Sequence, residues 1–162
     1  PISNAPRTVC TWVNPNYLPI NNADLYMMLT LGNPSPSQAF GFYLFNSTGT
    51  QQVAFTGYGD DLAVNYTLPI NTWSHLCATY NGSALTLYVN GTSIGSTAKA
   101  LNTGSTYFMI GAQTGPTQYY SGKLDDIRIY NKSLTAAQIR QLATQIPAGL
   151  VARYDFNGDY TD

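Results

Sequence analysis

The feature of this sequence that most limits its fold is a series of short β-rich segments separated by turn residues. Each segment is rich in β-branched or aromatic residues, and Gly, Pro or Asn lies between successive segments. The Asn90-Gly91 pair between two such segments is typical of a two-residue β-hairpin turn. Many short strands with frequent turns predict an all-β fold, a two-sheet antiparallel jelly-roll sandwich. The predicted strands are Leu25–Leu31, Phe40–Phe45, Gln51–Phe55, Trp73–Tyr80, Leu85–Val89, Tyr107–Ile110 and Leu124–Tyr130.

One short helix is predicted near the C-terminus, in the segment Ser133–Ala143. Thr135, followed three residues later by Gln138, forms the pattern of a capping box at the start of a helix. The apolar residues at near-helical spacing in this segment are Leu134, Ile139 and Leu142. We therefore expect a short amphipathic helix after the last predicted strand.

The charge of the chain excludes several classes of function. Only 9% of its 162 residues are charged, and the formal net charge is −1, whereas an average globular protein has roughly 25% charged residues. A nucleic-acid-binding protein needs a basic face, so that class is excluded. No apolar run approaches the roughly 20 residues that span a bilayer, so no membrane span is predicted. A near-neutral surface of Asn, Thr, Ser, Gln, Gly and Tyr suits sugar binding or close packing against another protein.

The two cysteines lie in similar β-rich segments, Thr8–Val13 and His75–Tyr80. If these strands are neighbours, Cys10 and Cys77 can form a disulfide that closes a loop of about 68 residues. The alternative is a pair of reduced, buried cysteines. A closed zinc site is not favoured, because two Cys and one His supply only three ligands. An oxidised, extracellular protein is the better interpretation.

Together these segments resemble the laminin G-like jelly roll of the concanavalin A-like lectin and glucanase superfamily. The segments that carry the resemblance are Thr8–Val13, Trp73–Gly82, Leu85–Gly91 and Gly122–Leu134, with the short helix after them. The resemblance implies two antiparallel sheets, commonly an extracellular setting, and binding of glycans or proteins, often with calcium. The cysteines resemble those of the pentraxin branch, in which the equivalent strands are joined by a disulfide.

Two family sites are not carried over by the resemblance. The pentraxin calcium loop corresponds to Gly111–Tyr120, which has no carboxylate to offer a hard cation. The glucanase relatives use two glutamates flanking an aspartate on one strand, and no such run exists in this sequence. His75 is the only histidine, so no Ser–His or Cys–His nucleophile pair is indicated. We therefore predict that the protein is not an enzyme.

The C-terminal residues 148–162 are expected to lie apart from the jelly roll, which we assign to residues 1–147. The segment Tyr154–Asp162 resembles the strand and turn with which members of the family usually begin, so it stands at the opposite end of this chain. A circular permutation, a fragment of a tandem array and a strand donated to a neighbouring subunit would each explain this order. Because an incoming strand satisfies an unpaired sheet edge, self-association through the C-terminal strand is one of the predictions.

Asp125 is the first candidate metal ligand. If Ile127 and Ile129 face the core, strand alternation places Asp125 on the same inward side, where a carboxylate needs a cation or hydrogen-bond donors. Carboxylate and amide oxygens of the tail could join it around calcium. The predicted calcium ligands are Asp125, Asp155, Asn157 and Asp159. The alternative is that Asp125 holds backbone N–H groups and that the acidic tail residues only form a turn.

Two loops carry the residues expected to contact a ligand. The first has Tyr58 between two flexible glycines, followed by Asp60 and Asp61, and the second has Tyr119 and Tyr120 at its tip. Sugars stack on aromatic rings and exchange hydrogen bonds with carboxylates. The alternative is a pair of ordinary turns with tyrosines packed on their edges.

These observations predict an extracellular, non-catalytic module that recognises glycans or surface proteins, with calcium as a candidate cofactor. The alternative is a structural subunit of a surface filament or adhesin stalk that assembles by strand donation.

Overall fold

The computed structural model describes residues 3–22, 24–112 and 118–144, which form two five-stranded antiparallel sheets and a short helix. The strands are β1 (Arg7–Pro15), β2 (Leu25–Gly32), β3 (Ala39–Ser47), β4 (Thr50–Thr56), β5 (Leu62–Asn65), β6 (Ser74–Tyr80), β7 (Ala84–Val89), β8 (Thr92–Ala98), β9 (Tyr107–Ile110) and β10 (Gly122–Tyr130), and the helix is α1 (Ala136–Thr144). The predicted all-β jelly-roll sandwich is confirmed.

Each sheet ends in two edge strands, and on each flank of the sandwich an edge strand of the first sheet lies beside an edge strand of the second. The first sheet has the order β10-β1-β6-β7-β8, and the second has the order β5-β4-β3-β2-β9. One flank is closed where β5 contacts β8, with the side chain of Val64 against Gly95. The edge strands β9 and β10 therefore share the opposite flank.

Turn and helix signals in the sequence act as predicted. Asn90 and Gly91 both have positive φ, 49° and 79°, which a two-residue hairpin turn between β7 and β8 requires. At the start of α1, the Thr135 N–H donates to Gln138 Oε1 (2.9 Å) and the Gln138 N–H donates to Thr135 Oγ1 (3.3 Å). These two hydrogen bonds complete the predicted capping box. The short strand β5 was not predicted, because four residues between Asp61 and Tyr66 give too short a pattern.

The hydrophobic core lies between the two sheets. Val9 and Val13 of β1 enter it from the first sheet, and Phe40 and Phe55 enter it from the second. The rings of Phe40 and Phe55 meet edge to face, with centroids 4.7 Å apart. The two sheets are therefore held together mainly by burial of apolar side chains.

A second apolar cluster lies on the outer face of the first sheet, beneath α1. Cys10 and Cys77 stand directly opposite each other on β1 and β6, with Cα atoms 4.1 Å apart, and form a disulfide. Tyr88, Leu134 and Ile139 pack around it. The predicted disulfide is confirmed, and α1 covers it.

A β-bulge in β10 changes the predicted orientation of Asp125. Cys10 pairs with Arg128 and Trp12 pairs with Asp125, so two residues of β10 oppose one residue of β1. The two residues of β10 at the bulge are Asp126 and Ile127, and Asp126 has a φ of 49°. Because Val13 faces the core, Trp12 and its partner Asp125 face outward. The prediction that Asp125 points inward with Ile127 is therefore wrong, since simple alternation does not continue through a bulge.

Candidate ligand-binding groove

An open groove with a volume of about 710 Å³ lies at one end of the sandwich. Its floor is Tyr80, and its walls are the N-terminal segment, the turn between β6 and β7, and the segment after β8. The residues that line it are Ser3, Asn4, Tyr80, Gly82, Ser83, Ala98, Lys99, Ala100, Leu101 and Asn102. Most of the polar groups along the groove are hydroxyls and amides, which suit a ligand with many hydroxyl groups.

The fully buried side chain of Tyr80 fixes one wall of the groove. Its hydroxyl donates to the carbonyl oxygen of Lys99 (3.1 Å) and accepts from the N–H of Leu101 (3.2 Å). One side chain therefore satisfies two backbone groups of the segment after β8. This wall is held in place before any ligand arrives.

The buried Arg7 fixes the N-terminal wall. Its Nε donates to the carbonyl oxygen of Ala5 (3.0 Å), and its Nη2 donates to that of Ser3 (2.5 Å). Its guanidinium lies 5.3 Å from the ring centroids of both Phe40 and Tyr80. Burial lowers the pKa of Arg7 below its usual value, but a guanidinium stays charged and is attracted to the two rings.

Lys99 joins the groove to the predicted loop of Tyr58, Asp60 and Asp61. Its Nζ lies 2.5 Å from Asp60 Oδ1 and donates to the carbonyl oxygen of Asp61 (2.9 Å). Ser37 Oγ donates to the second oxygen of Asp60 (3.1 Å). The groove and this loop therefore form one continuous surface.

The three predicted residues of this loop have different environments. Asp61 accepts hydrogen bonds from the hydroxyl of Tyr43 (3.0 Å) and from the N–H of Gly57 (2.8 Å), so its carboxylate holds the loop. Burial, with a smaller contribution from Asp61, raises the pKa of Tyr43 above its usual value. Tyr58 lies at the tip with a φ of 59° and 37% of its surface exposed. Tyr58 and Asp61 are therefore exposed to solvent, whereas Asp60 is half-buried and is the member of this set that contacts Lys99 of the groove.

The second predicted aromatic loop lies elsewhere. Tyr119 is 58% exposed and forms a bridge with Met27 of β2. The loop of Tyr58 follows β4, and the strands β3 and β2 lie between β4 and Tyr119. Three inter-strand spacings therefore place Tyr119 at least about 14 Å from that loop. Tyr120 packs against the core, and burial raises the pKa of its hydroxyl. The two loops do not form one site, and Tyr119 is the tyrosine of this pair that is open to a ligand.

The predicted calcium ligands are described only in part. Oδ1 of Asp125 accepts a hydrogen bond from the N–H of Asp126 (2.7 Å), as the alternative interpretation of Asp125 expects. The other three, Asp155, Asn157 and Asp159, lie outside the described residues, as does the whole segment 148–162. Asp126 is paired with Arg128, whose Nε lies 2.7 Å from Asp126 Oδ1.

His75 lies buried beside the disulfide, away from the groove. One of its ring nitrogens and the two cysteine sulfurs lie within 4.8 Å of one another, but the sulfurs are bonded to each other and cannot ligate a metal as thiolates. The ring of Trp12 packs against His75 with centroids 5.1 Å apart. Burial lowers the pKa of His75 to about 4, so the imidazole is neutral at physiological pH.

Sequence reasoning did not find the groove itself. Lys99 is an isolated lysine between two alanines, and Tyr80 reads as an ordinary strand residue. Ser3 and Asn4 lie beside the groove only because the fold brings the N-terminal segment to the same end of the sandwich as the segment after β8. Asn81-Gly82 is typical of a turn, as Asn90-Gly91 is, but this pattern does not indicate what lies beside the turn.

Two antiparallel sheets with an open groove at one end define a lectin-like jelly-roll domain. The chain belongs to the concanavalin A-like lectin/glucanases superfamily, whose family model matches residues 1–140. No curated protein matches the sequence of this chain.

Solved structures of other proteins share the fold. One is a candidate carbohydrate-binding protein from Bacteroides ovatus, with a TM-score of 0.69 and 19% identity over 86% of this chain and 41% of that one. Domain 4 of AbnA, a GH43 extracellular arabinanase from Geobacillus stearothermophilus, in complex with arabinotriose, has a TM-score of 0.65 and 22% identity over 88% and 68%. The CBM40 of the Ruminococcus gnavus IT-sialidase, bound to α2,3-sialyllactose, has a TM-score of 0.68 and 14% identity over 86% and 83%.

These similarities show the fold. The chain spans about two fifths of the length of the Bacteroides ovatus protein. Within the described residues, α1 is far too short to cross a bilayer, and no helix there qualifies as a membrane span.

Proposed function

We propose that this protein is a non-catalytic, extracellular module that binds glycans in the groove beside Tyr58. The observation that carries the proposal is the ion pair between Lys99 and Asp60, which joins a preformed polar groove to the loop that contains the exposed ring of Tyr58. A ring for stacking and a row of hydroxyl and amide groups are the two features that a sugar requires. The disulfide and the family favour a secreted or surface location.

The chemistry of the groove favours a neutral sugar. Lys99 is the only charged residue among the described residues that line it, and Asp60 already neutralises its charge. An anionic sugar would have to compete with the Asp60 carboxylate for Lys99. A neutral oligosaccharide can instead bond to the amides of Asn4 and Asn102 and to the hydroxyls of Ser3 and Ser83.

The groove offers little for catalysis. The carboxylates beside it, Asp60 and Asp61, both hold protein groups, and His75 lies on the far side of the first sheet. General acid–base chemistry needs a side chain within reach of the substrate proton that it moves. The sugar-bound arabinanase domain and the CBM40 domain support glycan recognition as the work of this fold.

Calcium is proposed as a cofactor that binds away from the groove. Asp125 is partly buried, and its Oδ2 makes no hydrogen bond within the described residues, so it can take a cation. Asp155, Asn157 and Asp159 would supply further oxygens of the kind that calcium prefers. The ion would then tie the tail to β10 rather than contact the sugar.

The experiment that tests glycan binding is a screen of neutral and sialylated oligosaccharides against the full chain, followed by titration calorimetry on the strongest binder. We expect a neutral oligosaccharide to bind saturably and the Tyr58→Ala variant to lose about 5- to 30-fold in affinity, since stacking on one ring is worth about 1 to 2 kcal/mol. Tyr17→Ala is the matched control, because Tyr17 is an exposed tyrosine remote from the groove. Equal affinity in Tyr58→Ala and Tyr17→Ala would remove this loop from the site.

A further inference from the structure

The flank formed by β9 and β10 leaves the hydrophobic core open. Phe108 pairs with Leu31 and Ile110 pairs with Leu29, and both leucines belong to the core. Residues paired directly across two strands share a face, so Phe108 and Ile110 face the inside of the sandwich. Their surfaces are nevertheless 49% and 51% exposed.

The edge strand β10 of the first sheet also has an inward-facing apolar side chain that is exposed to solvent. Ile129 of β10 pairs with Val9, which is fully buried in the core, yet Ile129 is 43% exposed. At the other flank Leu62 and Val64 pack against the core and against β8. Among the residues that the structure describes, the sandwich is thus closed on one flank and open on the other, where inward-facing apolar side chains meet solvent.

The backbone at the open flank is also unpaired. Within the described residues, β9 pairs only with β2 and β10 pairs only with β1, so the outer edge of each strand presents free N–H and C=O groups. An edge with both unpaired backbone and inward apolar side chains is a template for an added strand. We infer that this flank binds the segment Leu150–Phe156 of a second copy of the chain, which adds a strand to β10 and covers the open core.

The sequence of that segment fits the flank. Its alternate residues Leu150, Ala152, Tyr154 and Phe156 are apolar, and Val151, Arg153 and Asp155 alternate with them. Period-two alternation is the pattern of a strand with one face on a core and one face in solvent. The apolar face matches Ile129, Phe108 and Ile110.

The position of α1 favours a second copy over the chain's own tail. The last turn of α1 lies against the turn between β7 and β8, where Arg140 contacts Gly91. A strand added outside β10 lies four to five strand spacings away, about 22 Å. The six steps from Thr144 to Leu150 span at most about 21 Å when fully extended. The chain's own tail would have to be fully extended from Thr144 to Leu150 to reach this position, whereas the tail of a neighbouring copy has no such requirement.

Complementation between two full-length variants tests the inference. The variant Phe108→Lys/Ile129→Lys blocks the acceptor flank and leaves the tail intact, and the variant Tyr154→Asp/Phe156→Asp blocks the tail and leaves the flank intact. By light scattering after size exclusion, we expect the wild-type chain to form oligomers that grow with concentration and each variant alone to remain at 17.6 kDa. An equimolar mixture of the two variants should give a species of twice that mass.

Matched controls separate strand capture from loss of fold and from general stickiness. Tyr17→Lys/Ile70→Lys replaces two exposed apolar residues outside the flank and should assemble as the wild type does. A second measurement uses the double variant Ile129→Cys/Tyr154→Cys, whose cysteines lie on adjacent strands in the proposed dimer. It should give disulfide-linked dimers on oxidation and no intrachain bond. A monomeric wild type at every concentration, a monomeric mixture or an intrachain bond overturns the inference. Glycan binding is measured independently, so failure of one proposal leaves the other intact.

Discussion

Lys99 Nζ lies 2.5 Å from Asp60 Oδ1, and this ion pair connects the segment after β8 to the loop after β4. The side chains are 10% and 32% exposed, so this ion pair is shielded from water more than a typical surface pair. It also holds the loop that contains Tyr58 against a residue that lines the groove. The groove therefore depends on a contact between segments that are 39 residues apart in sequence.

Removing this contact should destabilise the protein and weaken glycan binding together. We expect Lys99→Met to lower the free energy of unfolding by about 1 to 2 kcal/mol, because Asp60 then keeps only Ser37 as a partner. Urea unfolding measures this change. The double variant Lys99→Met/Asp60→Asn should cost less than the sum of the two single variants. Strictly additive costs would show that the two residues do not interact.

The buried imidazole of His75 should make stability depend on pH. Burial lowers the pKa of His75 from 6.5 to about 4 in the folded protein, so the unfolded chain takes up a proton over a range where the folded chain does not. The free energy of unfolding therefore falls as pH drops from about 7 towards 4, by at most about 3 kcal/mol.

The His75→Gln variant isolates this effect from the titration of carboxylates. We expect the loss of stability between about pH 7.5 and about pH 4.5 to be smaller in this variant by about 2 to 3 kcal/mol. Urea unfolding at the two pH values gives the comparison. The same pH dependence in both proteins would contradict a buried, neutral His75.

The disulfide between Cys10 and Cys77 should contribute much of the stability without determining the fold. It joins two neighbouring strands and closes a loop with a sequence separation of 67, for which loop entropy gives about 4 kcal/mol. We expect Cys10→Ala/Cys77→Ala to keep its β-rich circular dichroism spectrum and to unfold at a lower urea concentration. Unchanged stability would mean that the unfolded chain is already restricted in this region.

Calcium should raise the melting temperature if Asp125 and the tail bind it. We expect the wild type to melt at a higher temperature in millimolar calcium than in EDTA, and Asp125→Asn to lose that difference. Asp24→Asn is a matched control, because Asp24 lies just before β2 of the second sheet, whereas β10 belongs to the first sheet. Identical melting temperatures of the wild type in calcium and in EDTA would exclude the calcium site.

The sequence predicted the elements whose signals are local. The Asn90-Gly91 turn, the Thr135–Gln138 capping box and the alternating strands depend on neighbouring residues, and all three appear in the structure. Asp125 was assigned to the inner face because a bulge has no clear sequence signal when its extra residue is not glycine. The partners Lys99 and Asp60 become neighbours only through the pairing of distant strands, so no local pattern could connect them.

The most direct test of the account is a titration of the isotopically labelled full chain with the best-binding neutral oligosaccharide, followed by amide NMR shifts. We predict that the shifted amides surround the groove, at Asn4, Tyr58, Ser83, Lys99 and Asn102, and that no matching shifts occur near Tyr119. Shifts that cluster at Tyr119, or saturable binding without any shift at Lys99 and Tyr58, would contradict the assignment of the groove as the glycan site.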